Sequence, residues 1–220
     1  MTAPIQNRIV NVNQVKDYSG TSSDDVFVLN AISSGLPTAT LDGRSGFDTL
    51  DARSVFVGGT YMFLTDVRPS VENGFSVGDF LVLNFWKILG NSTKGNWFLL
   101  QDTVHSVELH GGAGNDWFAA SIQGVGGWTA DKYFGYAGDD HFNVRPLDVA
   151  IGGAGNDTFD LYGASGDLTG SLADGGSGTD TLELGFGWTV NLSKQFADSP
   201  FSGSLDRYKV VSIENVEVYA

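Results

Sequence analysis

The chain has 220 residues, with 30 glycines, 26 acidic and 12 basic residues, and a formal net charge of −14. Such a surface repels nucleic acid and anionic membranes and attracts cations. The absence of cysteine excludes disulfide staples and thiolate metal sites, so any cross-linking agent must be of another kind, with metal ions the first candidate.

Met1 to Arg8 lacks the basic stretch and apolar run of a cleavable signal peptide. The longest apolar stretch, Phe80 to Leu89, contains Asn84 and Lys87 and falls well short of the roughly 20 residues of a membrane span, so a soluble protein is expected.

Along the chain one hexapeptide recurs. Gly20-Thr-Ser-Ser-Asp-Asp25 keeps only its first glycine and last aspartate, and Gly43-Arg-Ser-Gly-Phe-Asp48 keeps positions one, four and six. Full copies follow at Gly111-Gly-Ala113-Gly-Asn115-Asp116, Gly135-Tyr-Ala137-Gly-Asp139-Asp140 and Gly152-Gly153-Ala154-Gly-Asn156-Asp157, and Gly175-Gly-Ser177-Gly-Thr-Asp180 again keeps positions one, four and six. Two residues beyond each final aspartate stands a large apolar residue: Phe27, Leu50, Phe118, Phe142, Phe159 and Leu182. A pattern of this kind places a glycine turn ahead of a strand whose first inward residue is apolar.

The final aspartates are spaced 23, 68, 24, 17 and 23 residues apart. Read as one or, for 68, three passes of a repeating coil, this spacing predicts that all six loops stack on one edge. The opposite edge is expected to turn near Gly124 to Gly127, Arg145 to Asp148 and Gly163 to Asp167; none carries the full motif, and only Gly163 to Asp167 is a candidate for a second ion row. Residues 55–103 match no repeat and read as an apolar insertion, and residues 185–220 as a capping segment of a single domain spanning 1–220.

The chemistry of the hexapeptide is specific. Glycines reach positive φ without a Cβ clash, which lets a short turn aim several carbonyls one way. Calcium takes six to eight hard oxygen ligands, which carbonyls and a carboxylate supply without thiol or imidazole. One turn offers part of that shell, and the turn stacked on it must offer the rest.

The hexapeptide with its following apolar residue resembles the nonapeptide GGxGxDxUx of the RTX (repeats-in-toxin) proteins, a calcium-binding repeat. Residues 20–50 and 104–220 carry the resemblance, which includes the phrasing Asp180-Thr-Leu and Ile213-Glu-Asn-Val. It implies an all-β, right-handed parallel β-roll or β-solenoid with calcium-binding turns stacked mainly on one edge. Several Ca²⁺ ions would then be held at Asp25, at Gly43 and Asp48, and at Gly111, Ala113, Asn115 and Asp116. Further ligand positions would be Gly135, Ala137, Asp139 and Asp140; Gly152, Gly153, Ala154, Asn156 and Asp157; and Gly175, Ser177 and Asp180. The resemblance also implies an extracellular, non-enzymatic module exported by a type I route.

Other readings are weighed against this one. His105, His110 and His141 form no zinc-ligand spacing, and no GxSxG elbow is present, so neither a zinc protease nor a lipase is written here. Paired aspartates can imitate a glycosidase site, but ion-binding aspartates reach the same separations. Trp86, Trp97, Trp117, Trp128 and Trp188 can stack on sugars, and the apolar, aromatic segment 61–100 is a candidate surface for a glycan or protein partner, as in a calcium-stabilised adhesin. The noncatalytic part of a larger secreted enzyme is a third reading. Asp160, on the strand leaving the 152–157 turn, is expected to point to solvent.

Overall fold

The computed structural model describes residues 8–14, 16–30, 39–54, 60–64, 80–100, 106–120, 129–161, 170–185, 187–198 and 207–219. Strands follow in the order β1 (Arg8–Val12), β2 (Tyr18–Ser19), β3 (Asp25–Leu29), β4 (Ala39–Asp42), β5 (Thr49–Asp51), β6 (Thr60–Leu64) and β7 (Phe80–Leu83). Next come β8 (Lys87–Leu89), β9 (Asn96–Leu100), β10 (Glu108–Gly112), β11 (Trp117–Ala120), β12 (Lys132–Ala137), β13 (His141–Val144) and β14 (Val149–Ala154). The last are β15 (Thr158–Leu161), β16 (Leu172–Ser177), β17 (Thr181–Leu184), β18 (Thr189–Asn191), β19 (Phe196–Asp198), β20 (Tyr208–Val211) and β21 (Asn215–Val218). Apart from a short 3-10 turn at Leu192–Lys194, the regular structure among the described residues is all β, and no helix there is long and apolar enough to cross a membrane.

The strands form two long sheets. The first has the order β1-β3-β5-β8-β10-β12-β14-β16-β20-β19-β18, the second β2-β4-β7-β6-β9-β11-β13-β15-β17-β21. Pairing is parallel except around β19, which runs antiparallel to β18 and β20 at the end of the first sheet. Parallel neighbours need a crossover. Here the crossover from one strand to its neighbour passes through the other sheet, so one circuit of the chain adds one strand to each, except between β5 and β8, where β6 and β7 both join the second sheet.

The eighth-position apolar residues point between the sheets. Phe27, Leu50, Phe118, Phe142, Phe159 and Leu182 are fully buried, as their spacing predicts. Parallel register stacks Phe98, Phe118, Phe142 and Phe159 in one column with ring centroids 5.0, 4.7 and 4.9 Å apart. Leu109, Tyr133, Ala150 and Ala173 occupy the matching column of the first sheet, where mostly smaller residues leave room for the rings. Each buried ring is worth roughly 1.5–3 kcal/mol of transfer free energy. Residues 80–100, which carry no hexapeptide, supply β7, β8 and β9 to the same two sheets.

The expected single edge is corrected by this topology. The turns at 111–116, 135–140, 152–157 and 175–180 carry the chain from the first sheet to the second, whereas those at 20–25 and 43–48 carry it from the second to the first. They therefore lie on opposite edges. The cause is β6 and β7, which both enter the second sheet. They lengthen the path between Asp48 and Asp116 without adding a circuit, so 68 residues span two and a half circuits rather than three.

Candidate metal-binding edge

Asp116, Asp140, Asp157 and Asp180 form a ladder across the first-to-second edge, each at most 2% exposed. The Oδ1 of Asp140 accepts the backbone N–H of Asp116 at 2.7 Å, that of Asp157 accepts from Asp140 at 2.9 Å, and that of Asp180 accepts from Asp157 at 2.8 Å. Glu214 closes the series, its Oε2 accepting from the Asp180 N–H at 2.8 Å. One oxygen of each carboxylate thus ties a circuit to its predecessor.

The other oxygen is different. The Oδ2 atoms of Asp140, Asp157 and Asp180 are buried and have no hydrogen-bond partner. Each occupies the place a side chain would take on the first glycine of its own turn: a Cβ on Gly135, Gly152 or Gly175 would stand 2.0, 2.0 or 2.3 Å from that oxygen. The same points lie 2.7, 2.7 and 2.2 Å from the carbonyl oxygens of Gly152, Gly175 and Ser212 on the next circuit. An anionic oxygen buried beside a carbonyl oxygen is unfavourable until a proton or a cation joins them. Burial accordingly pushes Asp140 up to about 8 and Asp116 and Asp157 up to about 6, and raises Asp180; the neighbouring carboxylates push Asp140, Asp157 and Asp180 further in the same direction.

Asp116 is the exception on this edge. Its Oδ2 accepts the Gly112 N–H at 2.8 Å and its Oδ1 accepts from the Asn96 backbone and side-chain amides at 2.6 and 2.8 Å. Asn96 belongs to a concealed copy of the turn, Gly90 to Asn96, in which Asn91 N–H donates to Asn96 Oδ1 at 2.7 Å and a Cβ on Gly90 would meet that oxygen at 2.7 Å. An amide replaces the carboxylate and one residue is added, which hid this copy from the hexapeptide pattern.

The remaining expected ligands divide by position. Fifth-position side chains form an exposed ladder of their own, with Asn115 Oδ1 accepting from Asp139 N–H, Asp139 Oδ1 from Asn156 N–H and Asn156 Oδ1 from Thr179 N–H at 2.7–3.0 Å. Those side-chain oxygens are engaged between circuits. The third-position carbonyls of Ala154 and Ser177 accept the N–H of Gly138 and Gly155, both at 2.9 Å, and each keeps a second lone pair. Ala137 pairs in register with Ala154, and the Ala113 N–H donates to Ser92. Gly111 stands to Asp116 as Gly135 does to Asp140, its Cβ position falling 1.9 Å from Oδ2. Gly153 has φ of +118°, and a Cβ there would stand 2.3 Å from the Tyr136 carbonyl oxygen.

On the opposite edge Asp48 repeats the arrangement. Its Oδ1 accepts the Asp25 N–H at 2.8 Å, its Oδ2 is buried without a partner, and a Cβ on Gly43 would stand 2.7 Å from that oxygen. Burial raises Asp48 to about 6. Asp25 keeps no unpartnered oxygen, because Thr21 N–H and Oγ1 satisfy Oδ2 and Arg8 Nε binds Oδ1 at 3.0 Å. Its charge is met from within the chain.

Two further buried aspartates on that edge lie outside the expected ligands. Asp131 Oδ1 accepts the Val107 N–H at 2.8 Å, and Asp148 Oδ1 accepts the Asp131 N–H at 3.1 Å. Here the second oxygens are satisfied: Thr129 Oγ1 donates to Asp131, and the Arg145 N–H and the Tyr133 hydroxyl donate to Asp148 at 3.0 and 3.2 Å. Both aspartates stand four residues before a first-position glycine, Gly135 or Gly152, which is the sequence signal that marks them. Turns Gly124 to Gly127 and Gly163 to Asp167 lie outside the described residues.

Among the described residues no three carboxylate or imidazole groups converge on one point. An ion on this edge would therefore take most of its oxygens from carbonyls. The imidazoles are engaged elsewhere: His110 lies 2.6 Å from both Glu108 Oε1 and the Tyr136 hydroxyl, and His141 stacks on Trp117 at 4.0 Å. Trp97 and Trp117 are 46% and 39% exposed on the outer face of the second sheet, Trp86 packs against Phe47, and Trp188 packs toward Tyr208. His105 and Trp128 are outside the described residues.

Asp160 sits on the outward side of β15 as expected, but it is partly covered and registers with Glu183 across the strands. Burial and then the Glu183 charge raise its pKa. Asp160→Asn is expected to raise the melting temperature, by up to about 0.5 kcal/mol of stability, because it removes like-charge repulsion. A lowered melting temperature would contradict this placement.

No protein-family model and no curated protein matches the chain.

Proposed function

We propose that the protein is a calcium-dependent structural module of the RTX kind, a parallel β-roll whose circuits are joined by ions, and that it works outside the cell after type I export. The observation that carries this reading is the set of buried, unpartnered Oδ2 atoms of Asp140, Asp157 and Asp180, each beside a carbonyl of the following circuit. Hard oxygen donors of this kind suit Ca²⁺, and nitrogen or sulfur ligands are not offered. Gly135, Gly152, Gly175, Asp140, Asp157 and Asp180 would hold the ions. Asp48 with Gly43 offers the corresponding place on the opposite edge, while Asp25 and Asp116 have partners of their own. The ions would neutralise the ladder and tie each circuit to the next, so binding would be coupled to folding. No acid–base pair in a substrate cleft is needed for this role.

Calorimetric titration of chelator-treated protein tests the proposal. Calcium is expected to bind with a stoichiometry above one and to raise the melting temperature, whereas magnesium, which prefers a tight octahedron and keeps its waters, is expected to do so weakly. Asp157→Asn should remove at least one site and leave Asp131→Asn as a control with unchanged stoichiometry. Identical melting curves in chelator and in excess calcium would refute the reading.

A further inference from the structure

Beside the second-to-first edge, where Asp48 and Asp131 lie, the outer face of the first sheet holds an open cleft of about 460 Å³. One wall is aromatic. Phe47 is 66% exposed and its ring lies 4.7 Å from that of Trp86. The floor is a row of side chains set by parallel register, Thr49, Lys87, Glu108 and Lys132, one from each of β5, β8, β10 and β12.

The charges in this row are distinctive for so acidic a chain, since two of its 12 basic residues meet here with a single carboxylate. Lys87 Nζ binds Glu108 Oε1 at 2.5 Å, and His110 Nε2 approaches the same oxygen at 2.6 Å. Glu108 Oε2 is thereby left as an acceptor. Lys132 is exposed and has no ion pair among the described residues. A cation and an acceptor oxygen without ion pairs or hydrogen bonds to one another among the described residues, and a hydroxyl, thus line up beside an aromatic wall.

We infer that this cleft binds an acidic saccharide, a sugar chain carrying carboxylates of the uronic-acid type. The aromatic wall suits the apolar face of a sugar ring. Glu108 Oε2 can accept from a hydroxyl, which a polyol supplies and an ionised acidic side chain does not. Lys132 complements the carboxylate, with an attraction that salt screens because the site is open. No aspartate of either ladder lines the cleft, although Phe47 belongs to the Gly43 to Asp48 turn.

The test is titration of the full chain with trigalacturonate, maltotriose and hexaglutamate at fixed calcium, followed by tryptophan fluorescence and calorimetry. Trigalacturonate is expected to bind one to one, at least tenfold more tightly than either of the others, and to weaken as salt is raised. Lys132→Gln should lower its affinity at least fivefold while melting temperature and calcium stoichiometry stay unchanged, which separates loss of the cleft from loss of the fold, and Phe47→Ala, in the Gly43 to Asp48 turn, should lower it at least fivefold with calcium binding measured alongside. Equal binding of maltotriose, equal binding of hexaglutamate, no binding at millimolar saccharide, or an affinity indifferent to both substitutions would each overturn the assignment.

Discussion

In chelator, the protein is expected to lose stability as pH rises from about 4 to about 8, the reverse of ordinary acid denaturation. The folded-state values of Asp116 and Asp157 stand near 6 and that of Asp140 near 8, against 3.8 for an unperturbed aspartate. A raised value means that the folded state holds protons the unfolded state has already released, so stability falls with pH throughout the window between the two values. Below about 4 both states are protonated and nothing is lost. Above about 8 both are ionised and the penalty is complete. At about 1.4 kcal/mol per pH unit of displacement, these three carboxylates set an upper bound on the order of 10 kcal/mol, comparable with the whole stability of a domain.

Calcium is expected to reverse the trend, because ion binding requires the ionised carboxylate and becomes stronger as protons leave. Urea denaturation at pH 4.5 and pH 8, each in chelator and in excess calcium, checks both arms. A metal-free protein more stable at pH 8 than at pH 4.5 would show that the carboxylates are not held in the unfavourable environment described above.

The second large effect concerns packing between circuits. Gly178→Ala is expected to destabilise the protein by about 3 kcal/mol or more even in saturating calcium. A Cβ there would stand 1.7 Å from the Gly155 carbonyl oxygen, and the residue has φ of +145°. Gly155→Ala repeats the problem one circuit earlier, 2.0 Å from the Gly138 carbonyl oxygen at φ of +142°. The obstacle is backbone held in the neighbouring turn, so relief would require the circuits to part. Gly185→Ala is the control, because nothing lies within 4 Å of its Cβ position and its φ is not in the left-handed region. That change is expected to be neutral or stabilising by up to about 1 kcal/mol, through the unfolded chain. Similar denaturation midpoints for Gly178→Ala and Gly185→Ala would show that the circuits are not in the close contact described.

Much of this architecture was legible in the hexapeptide. Gly135, Gly152 and Gly175 are glycine because a carboxylate oxygen takes the place of a side chain, Gly155 and Gly178 because the preceding turn does, and Phe142, Phe159 and Leu182 are apolar because they face the other sheet. These requirements recur in every circuit, so they recur in the sequence. The substitution of an amide at Asn96 and the hydroxyl-satisfied aspartates Asp131 and Asp148 broke the pattern while keeping the geometry, and were not visible from it.

By itself the sequence determined the local chemistry: which residues turn, which enter the core and which oxygens the turns present. Only the tertiary structure decided which edge each turn joins, because that depends on how many strands the chain lays in each sheet between motifs, and β6 and β7 shifted the phase by half a circuit. It also decided which carboxylates stay unpartnered. Asp25 and Asp157 both end their turns, yet Arg8 and Thr21 satisfy the first while the second keeps a buried oxygen without a partner. Part of that difference is local, since Thr21 lies four residues before Asp25 in the same turn; the Arg8 contact comes from 17 positions away and is brought alongside by parallel pairing.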